Sequence, residues 1–145
     1  MRLMLVLIAA ACVLVSCGDS GDSSPSAEAL IREWADTLRA GDVAGAAALF
    51  ALPSVVSNGT EPFTLYTKAE ARAFNESLPC GAKLLRTSSS AGFTTAVFRL
   101  TERPGPGRCG SGTGDTARTT FVIRGGKIVE WRRVADRPEP GGPVV

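Results

Sequence analysis

At 145 residues and 44% hydrophobic content, the chain has room for one ordinary domain with one core. Its 16 basic and 14 acidic residues are scattered rather than clustered, which argues against nucleic acid as a partner. Histidine is absent, so acid–base work would fall to carboxylates or to the single tyrosine, Tyr66.

The N-terminus reads MRLMLVLIAAACVLVSCGDSGDSSPS, with one charge at Arg2 and then an uncharged apolar run from Leu3 to Val15. Such a run falls short of the roughly 20 residues that span a bilayer and has the length of a signal-peptide core. Leu14, Val15, Ser16 and Cys17 resemble the lipobox of bacterial lipoproteins. The resemblance implies that residues 1–16 are a signal peptide and that Cys17 carries an acyl anchor of the diacylglycerol and palmitate kind. It also implies a lipid-anchored location on the extracytoplasmic face of the cell membrane, where each buried acyl methylene contributes about 0.8 kcal/mol. Cys12 is a rival cleavage point, but its use would shorten the apolar segment to about half the usual length. An ordinary signal cleaved near Ala9 to Ala11 is the other alternative. Residues 17–26 then read as a lipidated, polar, flexible tether.

With the signal removed and Cys17 acylated, Cys80 and Cys109 are the thiols that remain, and an oxidising compartment makes a disulfide their expected state. Two cysteines without histidine make a poor zinc site, and neither has a Cys-x-x-Cys partner. No metal or cofactor is expected.

Apolar residues Ala27, Leu30, Ile31, Trp34 and Leu38 recur at helical spacing and predict a helix over 26–40, closed by Gly41. Asp42 caps a second short helix through Ala51, with Val43, Ala46, Ala47 and Phe50 as its apolar side and Pro53 as its stop. Asn58-Gly59 marks a small hairpin, and Thr67 with Glu70 forms a capping box for a third helix over 68–78, carrying Ala69, Ala73, Phe74 and Leu78. The period then changes to that of four strands, AKLLRTSSS, FTTAVFRLTE, TARTTFVIR and KIVEWRRVA. Ala91-Gly92 and Gly125-Gly126 are their tight turns, while RPGPGRCGSGTGD is an irregular loop that a Cys80–Cys109 bond would pin. Residues 137–145 read as a disordered tail.

Two helices, a hairpin, a third helix and an antiparallel meander resemble the element order of the nuclear transport factor 2-like superfamily, which holds SnoaL-like cyclases, ketosteroid isomerases and limonene epoxide hydrolase. WADTLRAGDVAGAAALF resembles its opening and GGKIVEWRRVAD its closing strand, and the match covers residues 27–136. The fold this implies is α+β and cone-shaped, three helices packed on a curved antiparallel sheet. On strand parity Ala96, Phe98 and Leu100 share a face, as do Ala117, Thr119, Phe121 and Ile123, and as do Val129, Trp131 and Arg133. The pocket expected from this is formed by Trp34, Tyr66, Phe98, Phe121, Trp131 and Arg133.

The resemblance also bears on chemistry. Ketosteroid isomerases use two aspartates and a tyrosine in the cone, and the epoxide hydrolase uses two aspartates bridged by an arginine. Where the hydrolase keeps an acid two positions after the strand aromatic, this chain has Arg133, and its other half-site aligns with Arg103 and Gly105. No catalytic set is expected, and the favoured function is an accessory envelope domain binding a small apolar or anionic ligand. An isomerase, cyclase or hydrolase is the alternative and would rest on Tyr66, Glu102 or Asp36. A third reading is a protein-binding module or a homodimer through the outer sheet face, where Arg118, Arg124, Glu130 and Arg132 are expected. A cavity above about 300 Å³ beside Trp131 would favour a ligand, and a filled cone would favour protein binding.

Overall fold

The computed structural model describes residues 25–135, so the segments expected to be a signal peptide and a tail, the expected lipidation site Cys17 and most of the expected tether lie outside the described residues. Its elements are α1 (Ala27–Arg39), α2 (Val43–Ala48), β1 (Phe50–Ser57), β2 (Phe63–Leu65), α3 (Lys68–Ser77), β3 (Gly81–Ser90), β4 (Phe93–Thr101), β5 (Thr116–Arg124) and β6 (Lys127–Val134). They make an α+β architecture in which three helices pack on one six-stranded sheet of order β2-β1-β6-β5-β4-β3.

The sheet is mixed, where the sequence predicted an antiparallel one. β1 runs parallel to β6, pairing Val55 with Glu130 and Val56 with Trp131, while the other neighbours are antiparallel. The second helix is also shorter than predicted, because residues 50–57 extend as β1 with a cis Leu52–Pro53 bond inside the strand. Backbone pairing explains the switch: the amide of Ile128 donates to Leu49 O at 2.9 Å, so the chain leaves α2 straight into the sheet.

Local chemistry accounts for the helix limits. Ser26 accepts from the Ala29 amide and Asp42 from the Gly45 amide, each satisfying an orphan N–H of a first turn. Thr67 and Glu70 form the predicted capping box of α3, and the N–H groups of Tyr66 and Thr67 hold the Glu70 carboxyl below its ordinary value. α1 buries Leu30, Ile31, Trp34, Ala35 and Leu38, close to the predicted stripe. α3 is rotated from its predicted phase, burying Ala71, Phe74 and Asn75 and leaving Ala69 and Ala73 exposed.

Seven edge-to-face aromatic contacts tie this core together, with Trp34 touching Phe98, Phe121 and Trp131 and Phe74 touching Phe50, Phe63 and Trp131. The buried side chain of Asn75 joins the two main helices, accepting from the Trp34 indole at 2.9 Å and donating to Ala71 O at 2.8 Å. On β6 a bulge shifts the register, so Ile128 and Trp131 are the buried residues and Val129 is only partly covered. The predicted inward place of Val129 is thereby corrected, while Trp131 and Arg133 keep a common face.

Candidate functional site

The end of the domain at which α1 and α3 terminate is built around the loop from Arg103 to Asp115. Cys80 and Cys109 form a disulfide there, 29 residues apart in sequence, fastening the loop to the exit of α3. Two side chains reinforce it. Glu102 accepts from the amides of Gly110 at 2.9 Å and Cys109 at 3.1 Å and from the Thr113 hydroxyl at 3.1 Å. The Gly110 N–H, then the Cys109 N–H, then the Thr113 hydroxyl hold its carboxyl below the ordinary value of 4.5.

Arg103 does a different job. Its side chain is buried, and its guanidinium donates to Leu78 O (2.7 Å from Nη2, 2.9 Å from Nε), Glu76 O (2.9 Å) and Pro104 O (2.9 Å). It therefore gathers the unsatisfied carbonyls at the C-terminus of α3, where the helix dipole is negative. No acid is needed to hold this cation. The alignment of Arg103 and Gly105 with a hydrolase half-site gives no sign of that role.

Between these staples and the aromatic core lies a cleft of about 140 Å³, lined in part by Trp34, Phe98, Trp131, Asn58, Thr119 and Arg133. Four of the predicted pocket residues, Trp34, Phe98, Trp131 and Arg133, are thus brought together. Phe121 is buried beneath them, its ring 5.6 Å from Trp34 and 6.3 Å from Phe98, and packs the floor without lining the cleft. Tyr66 does not belong to the pocket: it is 69% exposed beside the start of α3, placed there by the capping turn whose backbone binds Glu70.

The cone interior is therefore largely filled by aromatic rings, and the remaining 140 Å³ or so falls short of the roughly 300 Å³ expected for a ligand enclosed beside Trp131. By that measure the cone holds no whole ligand, and there is space only for a small group at its mouth. Arg133 is the charged side chain lining the cleft, half-buried, and Asn58 and Thr119 are polar side chains on the same lining. The Trp131 indole N–H is buried with no acceptor among the described residues, a condition that costs about 1–3 kcal/mol. Of the acids named for the enzymatic alternative, Glu102 is committed to the loop and Asp36 pairs with Arg39 on the exposed side of α1, 2.9 Å apart. Arg132 sits outside against Glu130, as the parity of β6 predicts.

No protein-family model and no curated protein sequence matches the chain. Solved structures do, and they show the fold. An NTF2-like protein of unknown function from Cytophaga hutchinsonii aligns with a TM-score of 0.58 at 9% identity, covering 75% of this chain and 88% of that one. A provisionally assigned polyketide cyclase from Sinorhizobium meliloti aligns at 0.55 and 15% identity, covering 72% and 93%. A protein with a ketosteroid isomerase-like fold from Catenulispora acidiphila, solved with trimethylamine, aligns at 0.53 and 13% identity, covering 72% and 83%. The described domain thus has the nuclear transport factor 2-like fold, with proteins described as NTF2-like, polyketide cyclase and ketosteroid isomerase-like among its structural neighbours.

Proposed function

We propose that the chain is a lipid-anchored, extracytoplasmic accessory domain that binds, without catalysis, the small anionic end of a ligand at the mouth of its cone. The observation that carries this reading is the cleft itself: an aromatic floor of Trp34, Phe98 and Trp131 with Arg133 as its charged side chain and no carboxylate among its lining residues. Acid–base chemistry of the isomerase or hydrolase type needs a carboxylate there, whereas a guanidinium suits a carboxylate or phosphate through paired N–H donors. A cleft of about 140 Å³ admits a headgroup or a single ring, so the rest of a larger ligand would stay outside. The anchor is supported by the Leu14–Cys17 motif behind its apolar run and by the Cys80–Cys109 bond, which suits an oxidising compartment.

Titration with benzoate and with benzyl alcohol, followed by NMR at the Trp131 indole N–H, tests the cleft. Benzoate should shift that resonance, and Arg133→Ala should weaken its binding about ten-fold, the loss of one charge-assisted hydrogen bond. Equal responses to the acid and to the neutral alcohol would contradict an anion site.

A further inference from the structure

A second cavity, of about 850 Å³, lies between α2, the first residues of β1 and the opening turns of α3. Its apolar lining is six alanines with Phe50 and Leu52, and its charged lining is all of one sign: Lys68, Arg72 and Lys127. All three cations are exposed, and none belongs to an ion pair among the described residues. Glu70, the acid on the same turn of α3, is already committed to the amides of Tyr66 and Thr67 at 2.8 Å each. Leu52 is 39% exposed at the groove, and Tyr66, one residue past the Ser54–Leu65 pair of β1 and β2, brings an exposed phenol to the same end.

The path of the chain adds an independent constraint. Pro25, the first described residue, lies against the β5–β6 turn: a Cβ built on Gly126 would stand 3.6 Å from its Cδ. The next residue after that turn is Lys127, which lines the groove and whose ammonium donates to Ala48 O at 2.7 Å. The eight peptide steps from Pro25 back to Cys17 span at most about 29 Å, so an acyl group on Cys17 keeps this end of the domain near the bilayer.

We propose that the groove is a membrane-docking surface, with Lys68, Arg72 and Lys127 meeting the phosphates of anionic phospholipids and Leu52 entering the headgroup boundary beside Tyr66. This deepens the lipid-anchor reading and rests on it for the approach to the bilayer. Cations near an anionic surface add to one another, and an amphipathic rim with a short apolar insertion is what an interfacial contact requires. The geometry also directs the cone mouth away from the lipid, because α1 begins at the tether end and finishes at the disulfide end, about 20 Å along its axis.

The test uses the chain purified from its host membrane and reconstituted in vesicles of phosphatidylcholine alone or mixed with phosphatidylglycerol. Hydrogen–deuterium exchange is read on segments 44–52 and 66–73, with the disulfide loop 104–113 as an internal reference. Exchange in both segments should slow on the anionic vesicles alone. It should return to the neutral-vesicle rate at 1 M salt, where the Debye length is about 3 Å, and in K68E/R72E, with the reference loop unchanged throughout. Both substituted side chains are exposed and make no hydrogen bond among the described residues, so an unchanged melting temperature should certify the fold. Equal exchange on the two vesicle types overturns the proposal, and so does slowing that survives K68E/R72E, which would point to a second copy or an uncharged occupant. Flotation separates the two readings: a chain that floats with anionic but not neutral vesicles docks without an anchor, and one that floats with neither overturns both.

Discussion

The two ends of the domain are built in opposite ways. At the cone mouth a Gly- and Pro-rich loop with a single short 3-10 turn is fastened three times over, by the Cys80–Cys109 bond, by Glu102 and by Arg103. At the opposite end the surface is a broad groove of alanines with three cations, where among the described residues the Lys127 ammonium donates to Ala48 O and no disulfide ties the lining. Rigid walls around a small cleft favour preorganised binding of a small group, whereas a broad basic trough suits a surface that need not be matched atom by atom. The stapled cleft and the basic groove thus lie about one helix length apart.

The comparison breaks most easily at the mouth. Trp131→Ala removes a ring that packs on Trp34 and Phe74 and should cost about 3–5 kcal/mol in urea unfolding, enough to threaten the fold itself. Cys80→Ser paired with Cys109→Ser should cost about 3–4 kcal/mol, the chain-entropy value for a 29-residue separation, with the loop losing exchange protection first. Arg103→Met should cost about 3 kcal/mol by leaving the carbonyls of Leu78 and Glu76 without a donor, and Arg103→Lys should recover only part of it. K68E/R72E, by contrast, should leave stability within about 0.5 kcal/mol, since exposed charges contribute little.

The smallest effect sharpens the picture of the loop. Because the folded Glu102 carboxyl is held below 4.5, its contribution is complete above that value and is lost as pH falls through the lowered one. The Gly110 and Cys109 amide resonances should therefore titrate below pH 4.5, and Glu102→Gln should abolish that step. A titration at or above 4.5 would mean that the loop does not hold the carboxylate as described.

Periodicity and capping chemistry are local, and they made α1, the start of α3 and the strands β3 to β6 legible. What was missed depends on partners distant in sequence. Phe50 to Pro53 read as the end of a helix, yet pairing with β6 draws them into a strand. The bulge on β6 cannot be seen in KIVEWRRVA alone, since register belongs to two strands, and it moved burial from Val129 to Ile128. The sequence alone offers Tyr66 to the pocket, but the capping turn that holds its backbone turns it to solvent. Arg103 had a signal: α3 runs into Leu78-Pro79 with no C-terminal glycine, so its last carbonyls needed an outside donor. The filled cone is the least legible feature, because the phase of each aromatic can be read but not how far seven aromatic side chains close the space between them.

If a chain anchored at one end holds a small anionic group at the other, native mass spectrometry of the protein extracted from its own host membrane should detect both attachments at once. The expected spectrum is a mature chain beginning at Cys17 with its acyl mass, carrying a small acidic adduct that Arg133→Ala removes while the acyl mass stays. An unmodified Cys17 thiol, or an adduct retained in Arg133→Ala, would contradict it.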